Sequence, residues 1–161
     1  MVQVLTLEEI FAHAAKVARQ TFNARGVIAP MWMGHTAIDE LVSIMPEQFK
    51  TAEDKDQAVA AVRAIFKERG VVRYSFMTEA WILQSRDSSE AAVLRAAHAG
   101  KSLEHHPDRR EVVAVQAEDK QRCLTGFYPI LRPEHGKATL APFKRNDAAE
   151  YSKGRMVGLL T

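Results

Sequence analysis

The chain has 161 residues, 47% of them hydrophobic and 26% charged, with a formal net charge of +2. That balance excludes a disordered chain, which needs fewer apolar residues or more net charge, and it suits one domain that buries its core without a staple. The single cysteine, Cys123, excludes an intramolecular disulfide and a cysteine-based structural zinc site.

No apolar run approaches 18 residues, so no membrane-spanning helix is expected. No basic stretch followed by an apolar core opens the chain, so no signal peptide is read and a reducing cytoplasm is the expected compartment. The last sixty residues are slightly basic, far short of a nucleic-acid-binding tail, and no nucleic-acid partner is expected. No internal repeat or low-complexity tract is present, and residues 1–161 read as one α+β domain.

Thr6 to Ala24 carries the clearest helical signal. Leu7, Ile10, Phe11, Ala14, Val17, Ala18, Thr21 and Phe22 recur at helical spacing. Thr6 and Glu9 match a capping box, and Gly26 sits where a left-handed cap stops the helix. Val27 to Gly34 is short and apolar. Pro30 has no amide hydrogen, so this segment reads as an edge strand or a bulged one. The polar turn His35 to Asp39 leads into Glu40 to Met45, and the two strands read as a hairpin.

Thr51 to Arg69 is the second helix. Thr51 caps it, Glu53 and Asp54 suit the positive end of its dipole, and Gly70 ends it. Ala58, Val59, Val62, Ile65 and Phe66 form its apolar face.

Val71 to Leu83 is a long strand. Val72, Tyr74, Phe76, Thr78, Ala80 and Ile82 share one face and make the better core candidates. Val71, Arg73, Ser75, Met77, Glu79, Trp81 and Leu83 share the other, which reads as an open face. Residues 84–107 read as a connection, with a short helix from Ser88 or Ser89 to about Ala99. Glu111 to Ala117 is valine-rich and strand-like, and Glu118 to Gln121 reads as a turn. Arg122 to Leu131 and Ala138 to Phe143 follow as strands, with Pro129 and Pro142 marking bulges or edges. The expected order is α-β-β-α-β-(α)-β-β-β: one mainly antiparallel sheet of five or six strands, with both long helices on one face.

Chemistry-bearing residues concentrate between Val71 and Arg132. Pro107-Asp108 with Glu118-Asp119-Lys120 matches the Pro-Asp … Glu-x-Lys pattern of metal-dependent nucleases, whose carboxylates share one cation. A strand over 109–117 separates Asp108 from Glu118 by about 33 Å, so the pattern fails as a metal site. The run His105-His106-Pro107-Asp108-Arg109-Arg110-Glu111 holds proton carriers and weak metal-ligand candidates in His105 and His106. The plainer reading is a solvated loop with Arg–Glu pairs. Glu79 beside Trp81 is either a general base or a salt-bridged carboxylate. The latter is favoured, with Arg109 or Arg110 as partner on a neighbouring strand. Cys123 has no motif to supply a base and reads as a small buried residue. Trp32 and Trp81 read as packing residues before pocket walls.

Zinc-peptidase, dinucleotide, phosphate-loop, nucleophile-elbow and deaminase signatures are all absent. Two functional expectations follow. The first is a non-catalytic binding or assembly module, a homodimer joined through an edge strand or the open face. The second is a small metal- or ligand-binding enzyme of the hydrolase class. Its catalytic candidates are Glu79, His106, Asp108 and Glu111, and its binding candidates Trp81, Arg109 and Arg110. No cofactor is expected in either case.

Overall fold

The computed structural model describes residues 3–82, 109–146 and 158–160. The expected helix at 88–99, Leu83, His105, His106 and Asp108 lie outside them.

The two helices begin and end where their caps dictate. In α1 (Leu7–Arg25) the Thr6 hydroxyl accepts from Glu9 N–H while the Glu9 carboxylate accepts from Thr6 N–H, and Gly26 closes the helix at φ 75°. In α2 (Ala52–Arg69) Thr51 and Asp54 form the same reciprocal pair and Gly70 closes the helix at φ 71°. Such caps satisfy amides that have no intrahelical partner.

The strands are β1 (Met31–Thr36), β2 (Leu41–Ile44), β3 (Val71–Ile82), β4 (Arg110–Glu118), β5 (Cys123–Leu131), β6 (Thr139–Leu140) and β7 (Lys144–Asn146). They form one antiparallel sheet in the order β2-β1-β3-β4-β5-β6, with β7 also on β5. The α+β class and the antiparallel sheet agree with the sequence reading, and the element order of the described residues follows it roughly, with seven strands where five or six were expected.

The layering differs from it. The helices cover opposite faces of the sheet, not one. Ile10, Phe11, Ala14, Ala18 and Phe22 of α1 pack with Met77, Val113, Val115, Leu124 and Tyr128. Val59, Val62 and Phe66 of α2 pack with Trp32, Val42, Tyr74 and Phe76. Tyr74 and Phe76 stand on one side of β3 and Met77 on the other, because side chains alternate along a strand. The face expected to be open is therefore a core face, with Met77 and Ser75 buried beneath α1. Trp32 is buried and stacks on Phe76 at 4.3 Å.

Three smaller expectations change too. β1 is an interior strand between β2 and β3; Pro30 lies just before its ladder, and the register shift falls at His35/Thr36. Residues 138–143 do not make one strand. β6 and β7 flank a break at Pro142, and Phe143 turns in over Gly126. Glu118 is the buried last residue of β4, not part of a turn; the turn is closed by Asp119, whose carboxylate accepts from Gln121 and Arg122 N–H.

Candidate functional site

Glu79, Trp81 and Glu111 share one rim of the α1-covered face. Glu79 stands opposite Val113 and Trp81 opposite Glu111. Trp81 is 37% exposed, and the Arg109 guanidinium lies 4.8 Å from its ring centre. Such stacking contributes about 0.5–1 kcal/mol at an exposed site. Arg110 is exposed at the start of β4, opposite Ile82.

Among the described residues, Glu111 at this rim pairs with Nε of Arg132, an arginine that follows β5. The expected pairing of Glu79 with Arg109 or Arg110 is not seen. Glu79 Oε1 is buried and has no hydrogen-bond partner among the described residues. Burial pushes the Glu79 carboxyl above the usual carboxylate range; Arg132 and a hydrogen bond from the Ile28 backbone oppose this, and the Glu111 charge adds to it. The physical reason for the changed partner is register. Arg110 pairs with Ile82, three residues beyond Glu79, and Arg109 turns onto the indole. Among the described residues no group of three or more His, Cys, Asp or Glu side chains is placed to hold a metal ion.

A second polar centre lies at the other end of the same face, and the sequence reading passed over it as a turn. Asp39 adopts φ 60° in the β1–β2 turn, where its N–H donates to Thr36 O at 3.0 Å. Its carboxylate accepts from the Leu5 backbone N–H and from Arg73 at 3.3 Å, and His35 Nδ1 stands 3.5 Å away without hydrogen-bond geometry. Burial, the first cause, pulls the His35 pKa below its ordinary value; Asp39 opposes the shift, while Arg73 and His13 add to it. Ser75, His35 and Asp39 are the residue types of an acyl-transfer triad, but Ser75 is fully buried and its Oγ has no hydrogen-bond partner among the described residues. A substrate cannot reach that hydroxyl, so the cluster is a scaffold.

What the Asp39 scaffold holds is an apolar edge. β2 pairs only with β1 among the described residues. Ile38, Leu41 and Met45 beside it are 65%, 60% and 59% exposed. Asp39 draws Leu5 to the turn that carries Ile38, which extends the apolar surface to exposed Val4 and Leu5. Thr36 N–H donates to Glu40 O, and hydrogen-bonded pairs alternate along an antiparallel ladder. By that alternation Val42 and Ile44 turn their backbone groups toward β1, and Leu41 and Ser43 turn theirs outward.

A third polar centre is buried on the α2-covered face. Glu118, 1% exposed, accepts from the Tyr74 hydroxyl at 2.6 Å and from Gly158 N–H at 2.8 Å. The adjacent Cys123 is partly buried, and burial with the Glu118 charge pushes its thiol up to about 11. A thiol held protonated at neutral pH is a poor nucleophile, and Cys123 is partly buried where a buried residue was expected.

Hints of both missed centres exist in the sequence: a His and an Asp four apart around a tight turn, and a carboxylate closing a valine-rich strand. No family model, curated protein or solved structure matches the chain.

Proposed function

We propose that this protein is a non-catalytic binding and assembly module whose β2 edge pairs with β2 of a second copy. The observation that carries the reading is the row of exposed Ile38, Leu41 and Met45 along a strand edge with outward backbone groups. An exposed apolar edge strand is a template for another strand, and proteins that must stay apart usually blunt it with Lys, Pro or a bulge. Residues 41–44 contain no Lys, Pro or bulge, and only the four-residue length of β2 and Pro46 beyond it limit the edge.

A second copy fits because the edge is self-complementary. Antiparallel pairing about a two-fold axis at Val42 sets Leu41 against Ser43 of the other copy, both with outward N–H and C=O groups. Glu40 then falls opposite Ile44, so no like charges face each other. The Val4, Leu5 and Ile38 surfaces flank the axis and add the apolar area that a four-residue strand lacks. The expected affinity is on the order of micromolar.

Ser43→Pro tests the edge. It removes an outward N–H and leaves the β1 ladder intact. The expected result is a monomeric mass where the unaltered chain is dimeric; a dimer that survives this change places the interface elsewhere.

A further inference from the structure

We propose that the socket beneath Gly158 and Leu159 is a peptide-binding site, filled here by residues 158–160 of the same chain. The inference stands independently of the β2 edge.

The socket holds the backbone N–H and C=O of Gly158 and the side chain of Leu159. The Gly158 N–H donates to Glu118, 2.8 Å from Oε1 and 3.1 Å from Oε2. The Gly158 carbonyl accepts from the Arg63 guanidinium at 3.4 Å. The Leu159 side chain is fully buried among Val62, Phe66, Tyr74 and Phe76. These contacts come from α2, β3 and β4, which are remote from residue 158 in sequence. Gly158 adopts φ 72°, a conformation that favours glycine.

A segment that was only core would be held by apolar contact. A buried carboxylate is costly unless it is met by hydrogen bonds, and here a backbone amide supplies one. Reading a backbone N–H and C=O while a pocket reads the next side chain is how peptide sites combine affinity with selectivity. The ligand class is therefore a short peptide with glycine followed by a large aliphatic residue. The charges are complementary: Glu118 meets the donor and Arg63 the acceptor.

The test uses the full chain carrying Leu159→Ala, which empties the pocket and keeps the backbone. The probe is a fluorescent hexapeptide with the sequence of residues 156–161, read by anisotropy. The expected result is saturable binding to the folded variant, at least tenfold tighter than to the unaltered chain, whose socket is filled. N-methylation of the probe's glycine, which removes the N–H that Glu118 accepts, is expected to abolish it. No saturable binding, or equal binding of the N-methylated probe, overturns the proposal. If Leu159→Ala does not fold, amide exchange of the unaltered chain decides. A separable ligand opens locally, so the Gly158 and Leu159 amides exchange at least tenfold faster than those of Val113 and Val115. Equal rates, meaning release only by global unfolding, overturn it.

Discussion

The Tyr74 hydroxyl donates to Glu118 Oε2 at 2.6 Å inside the sheet, with Tyr74 and Glu118 directly opposite each other on β3 and β4. Burial raises the tyrosine pKa far above its usual value, and the Glu118 carboxylate adds to that rise, so the phenol stays a donor across the working pH range. Tyr74→Phe removes that donor from a buried carboxylate. The expected cost is about 1–3 kcal/mol, read as a lower denaturation midpoint in urea with an unchanged slope. An unchanged midpoint would mean that the pair adds nothing to the fold.

Gly126 and Phe143 form a second tight contact. A Cβ added at Gly126 would stand 2.3 Å from Phe143 Cζ and 3.0 Å from Lys144 O. Gly126→Ala is expected to cost about 1–3 kcal/mol through overpacking. Phe143→Leu alone is also destabilising, but in the double variant the two costs are expected to fall short of their sum, because the ring no longer meets the methyl group. Strict additivity in a double-mutant cycle would show that the ring does not rest on the glycine.

His35 gives the fold a pH dependence. Its pKa is lowered in the folded state by burial, so below its ordinary value of 6.5 the unfolded chain takes up a proton that the folded chain resists. The stability due to neutral His35 is present above pH 6.5 and is lost as pH falls through the lower folded value. Thermal melts between pH 7.5 and 5 are expected to show a falling midpoint that His35→Gln flattens. Equal slopes in both proteins would assign the effect to another group.

Glu79 acts in the opposite sense. Its carboxyl is raised by burial, so the protonated form is favoured on folding, and the stability this brings is present below the ordinary value of 4.5 and lost as pH rises through the folded value. Glu79→Gln is expected to raise the melting midpoint at pH 7, with the gain shrinking toward pH 4. A loss at pH 7 would show that Arg132 stabilises Glu79 more than burial opposes it.

Both helices were legible because their signals are local. Thr6, Glu9 and Gly26 belong to one helix and its two caps, and the cap pairs need no distant partner. The layer order was not legible. β3 carries Tyr74 and Phe76 on one face and Met77 with Ser75 on the other, and both faces are buried. Alternation identifies two faces but does not say which is covered. Glu79 was found as an oddity in an apolar run, yet its surroundings depend on Arg132, which follows β5. Glu118 looked like a turn residue because Asp119, Lys120 and Gln121 follow it; its burial depends on Tyr74, 44 residues earlier. Asp39 was read as a turn residue, and its bonds to Leu5 and Arg73 join elements 34 residues away on either side.

Assembly through β2 is tested most directly by the molar mass of the full chain in solution, measured by light scattering from micromolar to millimolar concentration beside Leu41→Lys. The expected result is a concentration-dependent rise to twice the chain mass of 18.0 kDa, abolished by the lysine at an edge position that is 60% exposed. A strict monomer at every concentration, or a dimer indifferent to Leu41→Lys, would contradict it.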